Sequence, residues 1–202
     1  MKQPQPLRPS PLLLVALLSA AGCGSDAKPI PRENRPAARA SNLVGLPEGI
    51  ELTDAAKLLG LAATPSSRGL VINVWASWCG SCRQEVPMLL ALRDKLAKRQ
   101  VGLLFVSADE LQDFPKVVEL AKSWSVGLPV RAVTPGTLGN FKRALSPDWK
   151  GGIPATFLID AQGKLRHLWE GPILEEEIAP VVERYLNGED VDGVTRTAAE
   201  PG

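Results

Sequence analysis

Histidine is almost absent from this chain. His167 is the single one among 202 residues, and cysteines number three, Cys23, Cys79 and Cys82. Three cysteines are too few for a disulfide-stapled scaffold, and a domain of this size does not need one. A zinc site on Cys79 and Cys82 would lack its second half, because Cys23 is distant in the chain and only His167 remains. An excess of charge of one sign is also missing, with 23 Lys and Arg against 22 Asp and Glu. That balance gives no case for a nucleic-acid partner or a strongly acidic one. The Leu-rich run from Pro11 to Ala21 is shorter than the about 20 apolar residues that a membrane-spanning helix needs. No internal repeat is visible. What remains is a hydrophobic share of 45%, ordinary for a globular chain, which points to one domain once the flanks are set aside.

The flanks have their own signature. Lys2 and Arg8 precede the apolar run, and Ala20-Ala21-Gly22 closes it with small residues, so residues 1–22 read as an export signal. Cys23 follows at once. Small residues directly before a cysteine resemble the lipobox of bacterial lipoproteins, although Ala20 stands where that pattern prefers Leu. The resemblance implies a lipid anchor on Cys23, on the periplasmic side of a bacterial membrane; an ordinary signal peptide with a stray cysteine is the alternative. More than one acyl chain would make such an anchor stable. Gly24 after Cys23 leaves the inner and the outer membrane both open. Residues 24–42 are rich in Pro, Ala, Arg and Ser without periodicity, so 23–42 form a lipidated N-terminus and flexible linker.

The chemistry is concentrated in Trp75-Ala76-Ser77-Trp78-Cys79-Gly80-Ser81-Cys82. The apolar, β-branched run Gly69–Trp75 leads into it and reads as a buried strand. After it, Val86, Leu89, Leu92 and Leu96 repeat at helical spacing. Cys79 therefore falls where a strand turns into a helix. Free N–H groups and the helix dipole at that end favour thiolate over thiol. Cys82 lies one turn on, on the same helix face. One sulfur can attack a disulfide, and the second can resolve the mixed disulfide.

Further elements follow in order. Leu43–Val44 is a short possible strand, and Thr53 to Leu59 a capped helix ending at Gly60. Val101–Ser107 is a second buried strand. Asp113 to Trp124 is a helix with Asp113 as its cap and Pro115 in its first turn. Pro129–Val133 is a short strand, and Thr137–Leu145 a helix. Ala155–Ile159 and Leu165–Trp169 flank Asp160-Ala161-Gln162-Gly163 as a hairpin, and Leu174–Leu186 is the last amphipathic helix. Residues 188–202 read as a frayed C-terminal tail. The expected class is α/β, a mixed sheet packed between helices.

Residues 43–187 resemble the thioredoxin superfamily and, within it, the TlpA/ResA-like exported thiol–disulfide oxidoreductases. The resemblance is carried by Asn73 to Pro87 around the two cysteines, by Leu128-Pro129-Val130, and by Gly152-Ile153-Pro154-Ala155-Thr156-Phe157-Leu158-Ile159-Asp160 with Gly163. It implies a thioredoxin-like fold, a central mixed sheet with helices on both faces, an N-terminal extension and a central βα insertion. It implies Cys79 as nucleophile, Cys82 as resolving cysteine and the redox disulfide between them, with no cofactor or metal. It also implies that Pro154 is cis and lies beside the cysteines, where the Ile153 backbone could pair with an extended substrate. Classical thioredoxins carry a buried Asp where this chain has Asn73, and an acid matching Glu85 often follows the second cysteine in the TlpA/ResA-like group. Two roles fit Glu85: a base for Cys82, one turn away, or a solvent-facing acid near the helix N-terminus.

Trp78 belongs to the expected docking surface, while Trp75 fits the core at least as well. Trp149 fits either a groove border or the core. Asp109 and Glu110 read as a solvated loop, and His167 as a packed or surface residue. The function implied is membrane-anchored reduction of disulfides in exported proteins, with apocytochrome c as a substrate class and a membrane thiol protein as electron donor. Gly80-Ser81 lacks the Pro of reducing thioredoxins and the His of strong oxidases. Oxidative folding, as oxidase or isomerase, is the alternative within the class. A metal-binding module or a thiol-independent adaptor is the alternative outside it. The T-x-x-C pattern of peroxidatic cysteines is absent.

Overall fold

The computed structural model describes residues 46–197. Cys23 and the export signal, linker and Leu43–Val44 strand expected from the sequence lie outside the described residues. Seven strands and five α-helices follow in order: β1 (Ile50–Thr53), α1 (Ala55–Ala62), β2 (Gly69–Trp75), α2 (Gly80–Lys98), β3 (Val101–Ser107), α3 (Phe114–Trp124), β4 (Val130–Val133), α4 (Leu138–Leu145), β5 (Ala155–Asp160), β6 (Leu165–Glu170), α5 (Glu175–Leu186) and β7 (Gly193–Arg196). Among the described residues no helix is long and apolar enough to cross a membrane.

All seven strands join one sheet in the order β1-β4-β3-β2-β5-β6-β7. β1, β4, β3 and β2 are parallel, β5 is antiparallel to β2 and β6 to β5, and β7 returns parallel to β6. Every residue of β2 is buried, as its unbroken apolar run requires of a central strand. Alternation then assigns its side chains to two layers. Leu70, Ile72 and Val74 pack with α1 and α4 through Leu58, Phe141 and Leu145. Val71 and Trp75 face α2, α3 and α5 through Val86, Leu89, Phe114 and Ile178. This is the sheet flanked by helices on both faces that the resemblance implied.

Local signals set most boundaries. Asp54 caps α1, its Oδ1 accepting from the Lys57 N–H at 2.9 Å. The helix nevertheless runs through Gly60 to Ala62, because Leu58 and Ala62 are both wholly buried and hold the last turn down. Asp113 does not cap α3 with its side chain; a 3-10 turn over Leu111–Asp113 leads into the helix, and Pro115 occupies its first turn. The strand β1 was not foreseen, since four residues between Gly49 and a helix cap carry little pattern. The tail reading is also corrected at Gly193–Arg196. These residues pair with β6, and Val191 ahead of them is buried.

Register decides what meets at one end of the sheet. Trp75 lies opposite Ser107, Val74 opposite Ala155, Ala155 opposite Glu170, and Glu170 opposite Arg196. The segment after β2, which holds both cysteines, therefore shares an edge with Asp109, with Gly152–Pro154, with the turn after Glu170 and with the end of β7.

Candidate active site

Cys79 is the N-cap of α2, and Cys82 is in its first turn. The two sulfurs are joined as a disulfide. The Cys82 N–H points at Cys79 Sγ from 3.2 Å, and Ser81 Oγ lies 3.6 Å from the same sulfur. Unshared helix-terminal N–H groups have few better partners than an anion, so this geometry favours a thiolate at Cys79 once the disulfide opens. Cys82 is fully buried, whereas Cys79 keeps 6% of its surface exposed. Trp78 beside it is 61% exposed. Trp75 instead lies in the core, edge-on to Trp124 at 5.1 Å between ring centres.

Glu85 is not solvent-facing. It projects from α2 into the layer beneath Cys82, with 4% of its surface exposed. Its Oε1 accepts from Asn73 Nδ2 at 2.7 Å and its Oε2 from the Ile173 N–H at 3.1 Å. Asn73 Nδ2 also donates to Thr156 Oγ1 at 3.0 Å, across the β2–β5 ladder where the two residues are opposite. Burial raises the Glu85 pKa from 4.5 to about 7, against the opposing effect of the donors on Ile173 and Asn73. A carboxyl poised near neutrality, one helical turn from Cys82, suits proton exchange.

Asp109 was expected in a solvated loop, and the structure corrects this. It is buried, while its neighbour Glu110 is exposed. Both Asp109 carboxylate oxygens accept from the Ser77 N–H, at 3.1 and 2.9 Å; Ser77 Oγ donates to Oδ1 at 2.7 Å and Ser107 Oγ to Oδ2 at 2.8 Å. The carboxylate thereby holds the turn whose next bond, Cys79 N–H to Ala76 carbonyl, measures 3.1 Å. Nothing in the local sequence separates Asp109 from Glu110. Only the pairing of Trp75 with Ser107 sets Ser77 and Asp109 opposite each other.

Pro154 is buried and follows a cis peptide bond from Ile153. Its carbonyl accepts from the Gly171 N–H at 2.9 Å. Ile153 is half-buried, and among the described residues its amide and carbonyl make no hydrogen bond. Trp149 does not border an open groove. It is buried against Phe157, and its Nε1–H donates to the Gly152 carbonyl at 2.8 Å. His167 packs against Trp169, with Nδ1 2.7 Å from the Val191 carbonyl and Nε2 3.0 Å from Thr195 Oγ1. Both ring nitrogens are thus committed, Nε2 to β7 and Nδ1 to the segment just ahead of it.

Residues 49–168, more than half of the chain, match the AhpC/TSA family. The chain is 32% identical over 123 residues to the thiol:disulfide interchange protein DsbE of Allochromatium vinosum, covering 58% of this chain and 62% of that protein. It is 28% identical over 118 residues to the thiol-disulfide oxidoreductase ResA of Geobacillus thermodenitrificans, covering 57% and 62%. The chain thus spans somewhat less than two thirds of the length of these relatives. Among solved structures, a thioredoxin-family thiol:disulfide interchange protein from Chlorobium tepidum superposes with a TM-score of 0.50 at 26% identity, covering 60% of this chain and 81% of that one.

Proposed function

Since the chain belongs to the AhpC/TSA family, on a thioredoxin-like fold, we propose that it is a protein-disulfide reductase of the DsbE/ResA type, held by a lipid on Cys23 at the periplasmic side of a bacterial membrane. The observation that carries this reading is the Cys79–Cys82 disulfide at the N-terminus of α2, with a backbone N–H aimed at Cys79 Sγ. The names of the relatives and the T-x-x-C pattern missing around Cys79 favour dithiol exchange over peroxide chemistry.

The cycle starts from the dithiol. The Cys79 thiolate attacks one sulfur of a substrate disulfide; that S–S bond breaks, and the departing substrate thiolate takes a proton. Extended substrate adds to the free Ile153 backbone beside Pro154, and Trp78 covers its apolar side. Cys82 then gives its proton to the Glu85 carboxylate and attacks Cys79 Sγ. The mixed disulfide breaks, the Cys79–Cys82 disulfide forms, and the second substrate thiolate leaves and is protonated from solvent or from Glu85. Two electrons pass to the substrate. A membrane thiol protein restores the dithiol, and exported proteins with an accessible disulfide, apocytochrome c among them, are the substrate class.

The direction of electron flow is tested by the Cys79/Cys82 reduction potential, equilibrated against glutathione or dithiothreitol. A value near thioredoxin's, about −270 mV, is expected. A value near that of strong oxidases, about −120 mV, would make the protein a disulfide donor. Cys82→Ser then traps the client as a mixed disulfide.

A further inference from the structure

We propose that β7 is a clamp that pre-orders the substrate-docking loop, with Arg196 as its positioning residue. The inference rests on the reading of Ile153–Pro154 as the docking strand. That strand hangs on a weak hinge. Gly151, at φ +102, and Gly152 precede Ile153 directly, and adjacent glycines have the most backbone freedom to lose. Ile153 can therefore be held in place only from outside.

Three side chains hold the hinge. Lys142 Nζ donates to the Lys150 carbonyl at 3.1 Å, Trp149 Nε1 to the Gly152 carbonyl at 2.8 Å, and the Gly152 N–H donates to Glu170 Oε1 at 3.0 Å. Glu170 is buried to 8% exposure, and a buried carboxylate needs a countercharge. That countercharge comes from β7. Arg196 Nε lies 3.4 Å from Glu170 Oε2, and its Nη2 donates to the Asp148 carbonyl at 3.0 Å, on the other side of the same loop. Thr197 extends the hold to the second loop at this edge. Its N–H donates to the Glu170 carbonyl at 3.1 Å and its Oγ1 to the Pro172 carbonyl at 2.6 Å. Gly171 sits so close to Thr197 that a Cβ there would lie 2.5 Å from the Thr197 carbonyl oxygen. The two loops are linked in turn, since Gly171 donates to the Pro154 carbonyl.

β7 and Thr197 after it thus reach the docking loop from two sides, with no hydrogen bond to either cysteine. A loop already held in its binding conformation costs less to order when a substrate strand adds to it. The clamp therefore acts on docking of extended substrates and leaves the sulfur chemistry alone.

The test uses the full chain, pre-reduced, in single-turnover stopped flow. One substrate is a peptide with an internal disulfide and extended flanks, and the other a small aromatic disulfide with no backbone to pair. Arg196→Ala is expected to raise the half-saturating peptide concentration about three- to tenfold, the scale of losing one charge-assisted contact. Its limiting rate, its reduction potential and its rate with the small disulfide should stay within about twofold of wild type. Arg196→Lys, which keeps a donor for Glu170, should recover much of the loss. Equal peptide half-saturation in Arg196→Ala and wild type would overturn the clamp, as would an equal slowing with both substrates. If the wild-type protein itself fails to reduce the peptide, the docking reading has failed first, and that result is seen without any variant.

Discussion

Replacing Glu85 by Gln asks whether the acid beneath Cys82 is the neutral-pH titrating group its burial implies. Unfolded, Glu85 titrates at its ordinary 4.5; folded, at about 7. At about 1.4 kcal/mol per pH unit, that separation is roughly 3 kcal/mol. The sign follows from proton counts. Below about pH 4.5 both states hold the proton, and the acid makes no difference. Between 4.5 and about 7 the folded protein keeps a proton that the unfolded chain has lost, so stability falls as pH rises. Above 7 the full cost of an ionised, buried carboxylate is present. Glutamine has no such titration, and the site can accept it. Its oxygen serves the Ile173 N–H, and Asn73 can turn its amide so that Oδ1, which has no partner among the described residues, takes the new N–H. Thr156 Oγ1 can donate as readily as accept. Urea unfolding of the oxidised forms at pH 4 and pH 8.5 should show Glu85→Gln gaining roughly 3 kcal/mol on wild type between the two. A gain below about 1 kcal/mol would refute the burial argument. In the reduced protein the same substitution should slow release of the second substrate thiol, measured by quenching the mixed disulfide, while leaving its formation unchanged.

Two further substitutions probe other buried polar groups of the site. Asn73→Asp places a second carboxyl where a donor now sits 2.7 Å from Glu85 Oε1. Two such groups cannot both ionise, so pH-dependent urea unfolding should show the pair holding one proton well above pH 7; a profile like that of wild type would count against the contact. Asp109→Ala strips the acceptor from the buried Ser77 N–H and from two hydroxyls, and should cost roughly 3 kcal/mol of stability. It should also change the pH dependence of Cys79 alkylation, and an unaltered alkylation profile would show that Asp109 does not position the cysteine turn.

The order of the elements from α1 to α5 was legible because most of them carry their own period, whereas the four-residue strands β1 and β7 do not. Val86, Leu89, Leu92 and Leu96 mark one face of α2 wherever that helix packs, and the unbroken apolar run of β2 requires a central strand. The place of Cys79 at a helix start followed from the same two patterns. The cis bond at Pro154 came only through the family resemblance, since most X–Pro bonds are trans. The reading of 188–202 as a tail failed because Gly193-Val194-Thr195-Arg196 buries little of itself. Its partners lie on β6, where His167 meets Thr195 and Glu170 meets Arg196, each more than 20 residues earlier.

By itself, then, the sequence determined the alternation of strands and helices from α1 to α5, which faces are apolar, and a cysteine pair at a strand-to-helix junction. All of these depend on residues within a turn or two of each other. Only the tertiary structure decided which polar groups are buried. Asp109 and Glu110 are adjacent and chemically alike, yet only Asp109 lies opposite Ser77. Glu85 is an interior acid because Asn73 and Ile173 arrive from 12 and 88 residues away to receive it. Hydrophobic period reports where apolar surface must go, but a polar side chain takes its solvation from whatever distant backbone the register brings to it.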